Sequence, residues 1–283
     1  MTPSEPGLDA RQTNGATSRA VTSWHALLRA NALLSLALLF AAAAVIAHRH
    51  HTDDDTAWRL QLALSAPYVL GCVFRSMLPV YDIPRIVLID SPLSSVLVGR
   101  SVATVAELCF AWQWALMLHA MALLARSPFG QAVSLVLVPL IVLAEACSWY
   151  AVLTRRQRAH AIENSIWGLS AALLVASLLV IGPHSIASLY PPTIAWCLGG
   201  TAYVAFIFFV DVPMYWSRGL ADEASGRPYL TMSQGLVDLR RRVVSYRWED
   251  WKSEMLWMSL YFTLGVWSSL SLVFASTALA AHL

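Results

Sequence analysis

Seven runs of apolar residues, each close to the length that spans a bilayer, constrain this chain more than any other feature. They cover about residues 24–47, 57–78, 101–124, 129–154, 164–186, 193–216 and 255–281. A helix needs about 20 such residues to cross the hydrocarbon core. No water is available there to take up backbone N–H and C=O groups, so each run must satisfy them internally, as a helix. The second run is the weakest, because it carries Arg59, Gln61 and Pro67. The expected fold is an all-α, polytopic membrane bundle of seven transmembrane helices.

Composition agrees. The chain is 58% hydrophobic and 13% charged, against about 25% charged in a soluble domain. A net charge of +2 gives no electrostatic footprint for nucleic acid. The cysteines, Cys72, Cys109, Cys147 and Cys197, all fall in apolar stretches and form no CxxC pair, so they read as small buried hydrophobes. Lys252 is the only lysine, set among many arginines and alanines. That bias suits a GC-rich bacterial genome and hence a bacterial cytoplasmic membrane.

Arginine placement sets an orientation by the positive-inside rule. With the N-terminus in the cytoplasm, 16 of the 19 Lys and Arg residues fall on the inner side. Only Arg49, Arg59 and Arg126 lie outside. An odd number of helices then leaves the C-terminus outside.

Residues 1–23 are polar and read as a disordered cytoplasmic tail. They are not a signal peptide, because the apolar run that follows is too long for one and reads as an uncleaved first membrane helix. Three His beside three Asp at residues 48–55 have metal-binding composition but read as a solvated outer loop. The longest loop, 217–253, falls on the cytoplasmic side. In it Met232, Leu236, Leu239, Val243 and Tyr246 recur at helical spacing. Thr231 and Gln234 suit a capping box, and Arg240, Arg241, Arg242 and Arg247 crowd the C-terminal half. The pattern predicts a basic amphipathic helix on the inner membrane surface or packed on the bundle.

Three acids stand inside the apolar runs: Glu107, Glu145 and Asp211. A carboxylate in hydrocarbon costs about 2.5 kcal/mol or more, so it persists where it faces a partner, water or a substrate. At about 1.5 Å per residue from the flanking arginines, Glu107, Asp211, Asn164 and Tyr68 all lie about 10 Å deep, and Glu145 about 15 Å. The third run presents Arg100, Thr104, Glu107 and Trp114 on one stripe; the fourth sets Trp149 beside Glu145. The fifth sets Trp167 beside Asn164, with Glu163 nearer the surface. Pro213 frees a backbone carbonyl next to Asp211 and suits a kink there. Trp257 and Tyr261 lie one turn apart on the last helix. The expected pocket opens to the cytoplasm and is lined by Asn164, Tyr68, Trp149, Trp167, Trp257, Tyr261 and Arg100. The competing reading makes the acids packing glue. Arg100 then neutralises Glu107, and Gln113 and His119 serve as interhelical hydrogen-bonders.

Several chemistries are excluded. A covalent retinal pigment needs a lysine in the middle of its last helix, and residues 257–271 hold none. The eight His are scattered, and no phosphate-binding loop, GxSxG or HExxH is present. A carboxylate-only divalent site from Glu107, Glu145 and Asp211 stays open, though nothing in their spacing singles it out, and the cofactor is unknown from the sequence.

The expected function is an intramembrane enzyme acting on a lipid-like, isoprenoid-type substrate. Asp211 and Glu107 serve as acid and base, with Glu145 shaping the pocket. Integral-membrane terpene cyclases have a similar outline of seven helices and paired acids, but no motif here aligns to them. Two alternatives remain: a proton-coupled carrier or ion pathway, and a lipid-binding receptor or scaffold. A carrier should show internal repeats and polar groups reaching both faces, whereas the outer half offers only Gln61, Gln113 and His119.

Overall fold

The computed structural model describes residues 19–48, 56–184 and 186–280. The readings of the N-terminal tail up to residue 18 and of the His- and Asp-rich loop at 49–55 lie outside the described residues, as do residues 281–283. Residues 19–23, expected as tail, instead form the first turns of α1 (Arg19–His48).

The chain is a helical bundle. α1 is followed by α2 (Thr56–Met77), α3 (Val96–Leu124), α4 (Pro128–Thr154) and α5 (Gln157–Ile181). α6 (Tyr190–Phe206) passes through a wide π turn at Ile207–Asp211 into α7 (Val212–Ala224). A short α8 (Met232–Asp238) precedes α9 (Trp248–Leu260). A second π turn, Tyr261–Gly265, joins α9 to α10 (Val266–Ala280). Among the described residues, six helical stretches are long and apolar enough to cross a membrane: Arg19–His48, Val96–Leu124, Pro128–Thr154, Gln157–His184, Ala187–Ala224 and Trp248–Leu279. α2 is a full-length rod but too polar to join them, for the residues that weaken it in the sequence.

Large apolar side chains cover the outside. Leu27 and Leu135 are 70% exposed and Phe209 82%. Water would disfavour so many apolar side chains turned outward; lipid does not. The chain is therefore an integral membrane protein by the length and surface of its helices. Inside, α2 packs on α1, α3 and α10, and α5 packs on α4, α6 and α7.

Serine caps start two helices. Ser95 Oγ accepts from the Val98 N–H, and Ser127 Oγ from that of Gly130.

One polar knot ties α2, α3 and α10 together. Gln61 Nε2 donates to the Gln113 carbonyl and Gln113 Nε2 to that of Gln61, both at 3.0 Å. Ser269 Oγ donates to Gln113 Oε1 at 2.6 Å. His119 pairs with Ser134 Oγ at 3.0 Å. Gln113 and His119 are interhelical hydrogen-bonders, as the competing reading has them.

The segments at 78–95 and 225–247 form a cap over one end of the bundle. β1 (Val80–Tyr81) pairs antiparallel with β2 (Ile86–Val87), which pairs parallel with β3 (Val243–Val244). The helical face read through Tyr246 is thereby corrected. α8 carries the expected Thr231/Gln234 capping box but ends at Asp238. Val243 instead donates its N–H to the Arg85 carbonyl, and Tyr246 Oη donates to that of Leu88 at 2.7 Å. Ladder pairing with β2 outweighs the helical periodicity. α8 sits against α4 so closely that a Cβ at Gly235 would strike the Leu153 carbonyl.

Candidate functional site

The site lies between the cap and the interior of the bundle. On α3, Arg100, Thr104 and Glu107 share one face, four and three residues apart. Arg100 is 5% exposed and gathers two acids. Its Nη2 lies 2.7 Å from Glu107 Oε2 and 2.8 Å from Glu145 Oε1, with Glu163 Oε1 3.9 Å from Nη1. Thr104 Oγ1 donates to Glu145 Oε2 at 2.5 Å and accepts from Trp149 Nε1 at 3.0 Å. Tyr261 Oη donates to Glu107 Oε1 at 3.2 Å. Glu107 and Glu145 are each held by the Arg100 guanidinium and a hydroxyl, the condition under which buried charge is tolerated.

A cavity of about 100 Å³, roomy enough for several waters, opens beside this cluster. Glu107 and Arg100 line it from α3, His160, Glu163, Asn164 and Trp167 from α5, and Asp211 from the π turn. Trp257 and Tyr261 line the wall from α9 and its π turn, and Tyr81 and Asp82 form the cap side. His160 and Glu163 are one helical turn apart, and His160 Nδ1 lies 2.6 Å from Glu163 Oε2. With Glu163 ionised, Nδ1 donates, and a neutral imidazole keeps its Nε2 lone pair for another proton.

Asp211 differs from the other acids. It is 5% exposed, yet among the described residues no hydrogen bond or ion pair reaches its carboxyl. Asp82 has Arg75 at 3.6 Å, and Glu254 has Arg218 at 3.7 Å. The π turn explains its placement. Pro213 has no N–H to give, and the Val212 N–H reaches back five residues to the Ile207 carbonyl. One extra residue in the turn swings Asp211 to the inner side, where π turns recur at functional sites.

An aromatic wall backs the cavity. Trp257 stacks on Phe206 with centroids 5.8 Å apart and planes 3° apart, and contacts Tyr261 at 5.0 Å. Tyr68 stacks on Phe110 at 4.3 Å, behind Tyr261.

Of the residues expected from the sequence, Glu107, Asp211, Asn164, Trp167, Trp257, Tyr261 and Arg100 line one cavity. Three do not. Glu145 and Trp149 bond to Arg100 and Thr104 behind the cavity surface, and Tyr68 is fully buried behind Tyr261. His160 and Gln157 line it without having been singled out. The one-turn spacing of His160 and Glu163 was the available signal. No group of three or more His, Cys, Asp and Glu side chains among the described residues has metal-binding geometry.

The cap is clamped beside the site. Arg85, fully buried, donates from Nε to Asp238 Oδ2 at 2.9 Å and from Nη2 to the Val152 carbonyl at 2.8 Å. Arg155 donates to both oxygens of the same carboxylate at 2.7 Å. Burial pushes the Asp238 carboxyl up, but the Arg155 and Arg85 guanidiniums outweigh it and hold it below the usual carboxylate range.

Comparison with protein families, with curated proteins and with solved structures finds no match to this chain.

Proposed function

We propose that the chain is a membrane-embedded enzyme. It moves a proton at the polar end of a lipid-like substrate taken from the bilayer. The observation that carries this reading is the isolation of Asp211, a buried carboxyl without a partner among the described residues, on a polar cavity whose other acids are paired. Packing glue would have a partner. His160, oriented by Glu163, is the base, and Asp211 is the group that gives or takes the second proton. Arg100, held by Glu107 and Glu145, supplies fixed positive charge near the reacting group. Glu107 thus moves from base to positioning residue. The reacting end of the substrate is small and polar, because polar side chains crowd the cavity; any isoprenoid portion stays in the bilayer.

The arrangement further supports seven spans with α2 as the seventh, the N-terminus and the cap in the cytoplasm and the C-terminus outside, in a bacterial cytoplasmic membrane. Sixteen of nineteen Lys and Arg residues then lie on the inner side. The carrier reading is weaker, because the far half of the bundle closes on the Gln61–Gln113–Ser269 knot.

Wild-type protein in nanodiscs, incubated with mixed polar-lipid and isoprenoid extracts, tests the reading by mass spectrometry. A product that appears with wild type and disappears with Asp211→Asn and His160→Asn supports it. Identical spectra for all three overturn it.

A further inference from the structure

We propose that the cavity binds a primary ammonium group, with Asp211 as its counter-ion and Gln157 Oε1 as a second acceptor; this rests on the enzyme reading for its site and adds the class of substrate.

The argument begins with charge balance. Asp82, Glu107, Glu145, Glu163, Asp211 and Glu254 surround or buttress the cavity. Among the described residues, the guanidiniums that face them are those of Arg75, Arg100 and Arg218. Arg100 is shared by Glu107 and Glu145, and Glu163 turns to His160. Even a cationic His160 leaves acids in excess, and a buried acid without a counter-charge is costly. Asp211 is where the surplus falls.

A second observation is independent of the acids. Gln157, 6% exposed, lines the cavity, and its Oε1 is buried without a donor among the described residues. A buried acceptor left without a donor is costly. Asp211 and Gln157 together ask for several N–H or O–H donors and a positive charge. An alkylammonium supplies both, with three N–H bonds on one cation.

Part of the aromatic lining is already occupied. Arg218 already lies over the rings of Tyr81, at 6.0 Å, and Tyr215, at 5.5 Å. Trp257 is stacked on Phe206. The acceptors on the cavity, Asp211 and Gln157 Oε1, call for N–H groups, which a quaternary ammonium does not have. Among the described residues, the Nε atoms of Arg75 and Arg100 are buried without acceptors. An oxygen on the same ligand would offer them an acceptor. An amino alcohol therefore fits better than a plain amine.

The test uses full-length purified protein in detergent, titrated with ethanolammonium, choline and inorganic phosphate, read by unfolding temperature and tryptophan fluorescence. Choline keeps the oxygen and the charge but has no N–H. Saturable binding of ethanolammonium is expected, with choline weaker and phosphate without effect. Asp211→Asn should weaken ethanolammonium binding by about ten- to a hundredfold, the loss of a charge-assisted hydrogen bond. Gln157→Leu, which leaves the acids untouched, should weaken it less and serves if the first variant does not fold. No saturable binding, binding unchanged in both variants, or phosphate binding in its place overturns the inference. Ethanolammonium binding without any turnover keeps the inference and removes the enzyme reading. Turnover that ethanolammonium does not inhibit does the reverse.

Discussion

Arg100 Nη2 lies 2.8 Å from Glu145 Oε1, across the contact between α3 and α4. The same nitrogen holds Glu107 on its own helix, so one buried guanidinium serves two carboxylates. Arg100→Met should remove both pairings at once and destabilise the fold by about 3–5 kcal/mol. The double variant Arg100→Met with Glu145→Gln should recover part of that loss, since it strands one fewer charge. Thermal unfolding of the two in detergent checks this.

Gly235 lies against the Leu153 carbonyl with no room for a methyl group. Gly235→Ala should push α8 away from α4 at a cost of about 1–3 kcal/mol, the usual range for overpacking. Faster hydrogen exchange across 225–247, with the membrane helices unchanged, is the expected readout.

The clamp at Asp238 should be sensitive to acid. Its folded-state pKa lies below the unfolded value, so its contribution is complete above the unfolded pKa, about 4. That contribution is lost as pH falls through the lower, folded value. Proteolysis of the cap should therefore stay slow at neutral pH and accelerate below about pH 4. Asp238→Asn should already show the acid behaviour at neutral pH and lose most of the pH dependence.

Much of this fold was legible in the sequence, because bilayer length and apolarity leave few structures besides helices. The polar layer was legible too: depth counted from arginines brings Glu107, Asn164 and Asp211 to one level, and all three line one cavity. The pairing of Arg100 with Glu107 followed from their spacing, but the second claim on Arg100 by Glu145 needed the packing of α3 on α4. Tyr68 has the right depth but is turned behind Tyr261, because depth does not fix the direction a side chain faces. The helix read through Tyr246 failed for a different reason. Val243 satisfies the helical period, yet it has a strand partner more than 150 positions away, which no local pattern reveals.

The central claim is that Asp211 is kept for chemistry and not for packing. Comparing the thermal stability of Asp211→Asn with that of Glu145→Gln tests it most directly. Glu145 is a bonded partner of Arg100 and Thr104, so its carboxamide should lose stability. Among the described residues Asp211 has no partner to lose, so Asp211→Asn should match or exceed wild type while abolishing turnover and weakening ethanolammonium binding. A loss of stability for Asp211→Asn as large as that for Glu145→Gln would contradict the account and return Asp211 to the packing of the bundle.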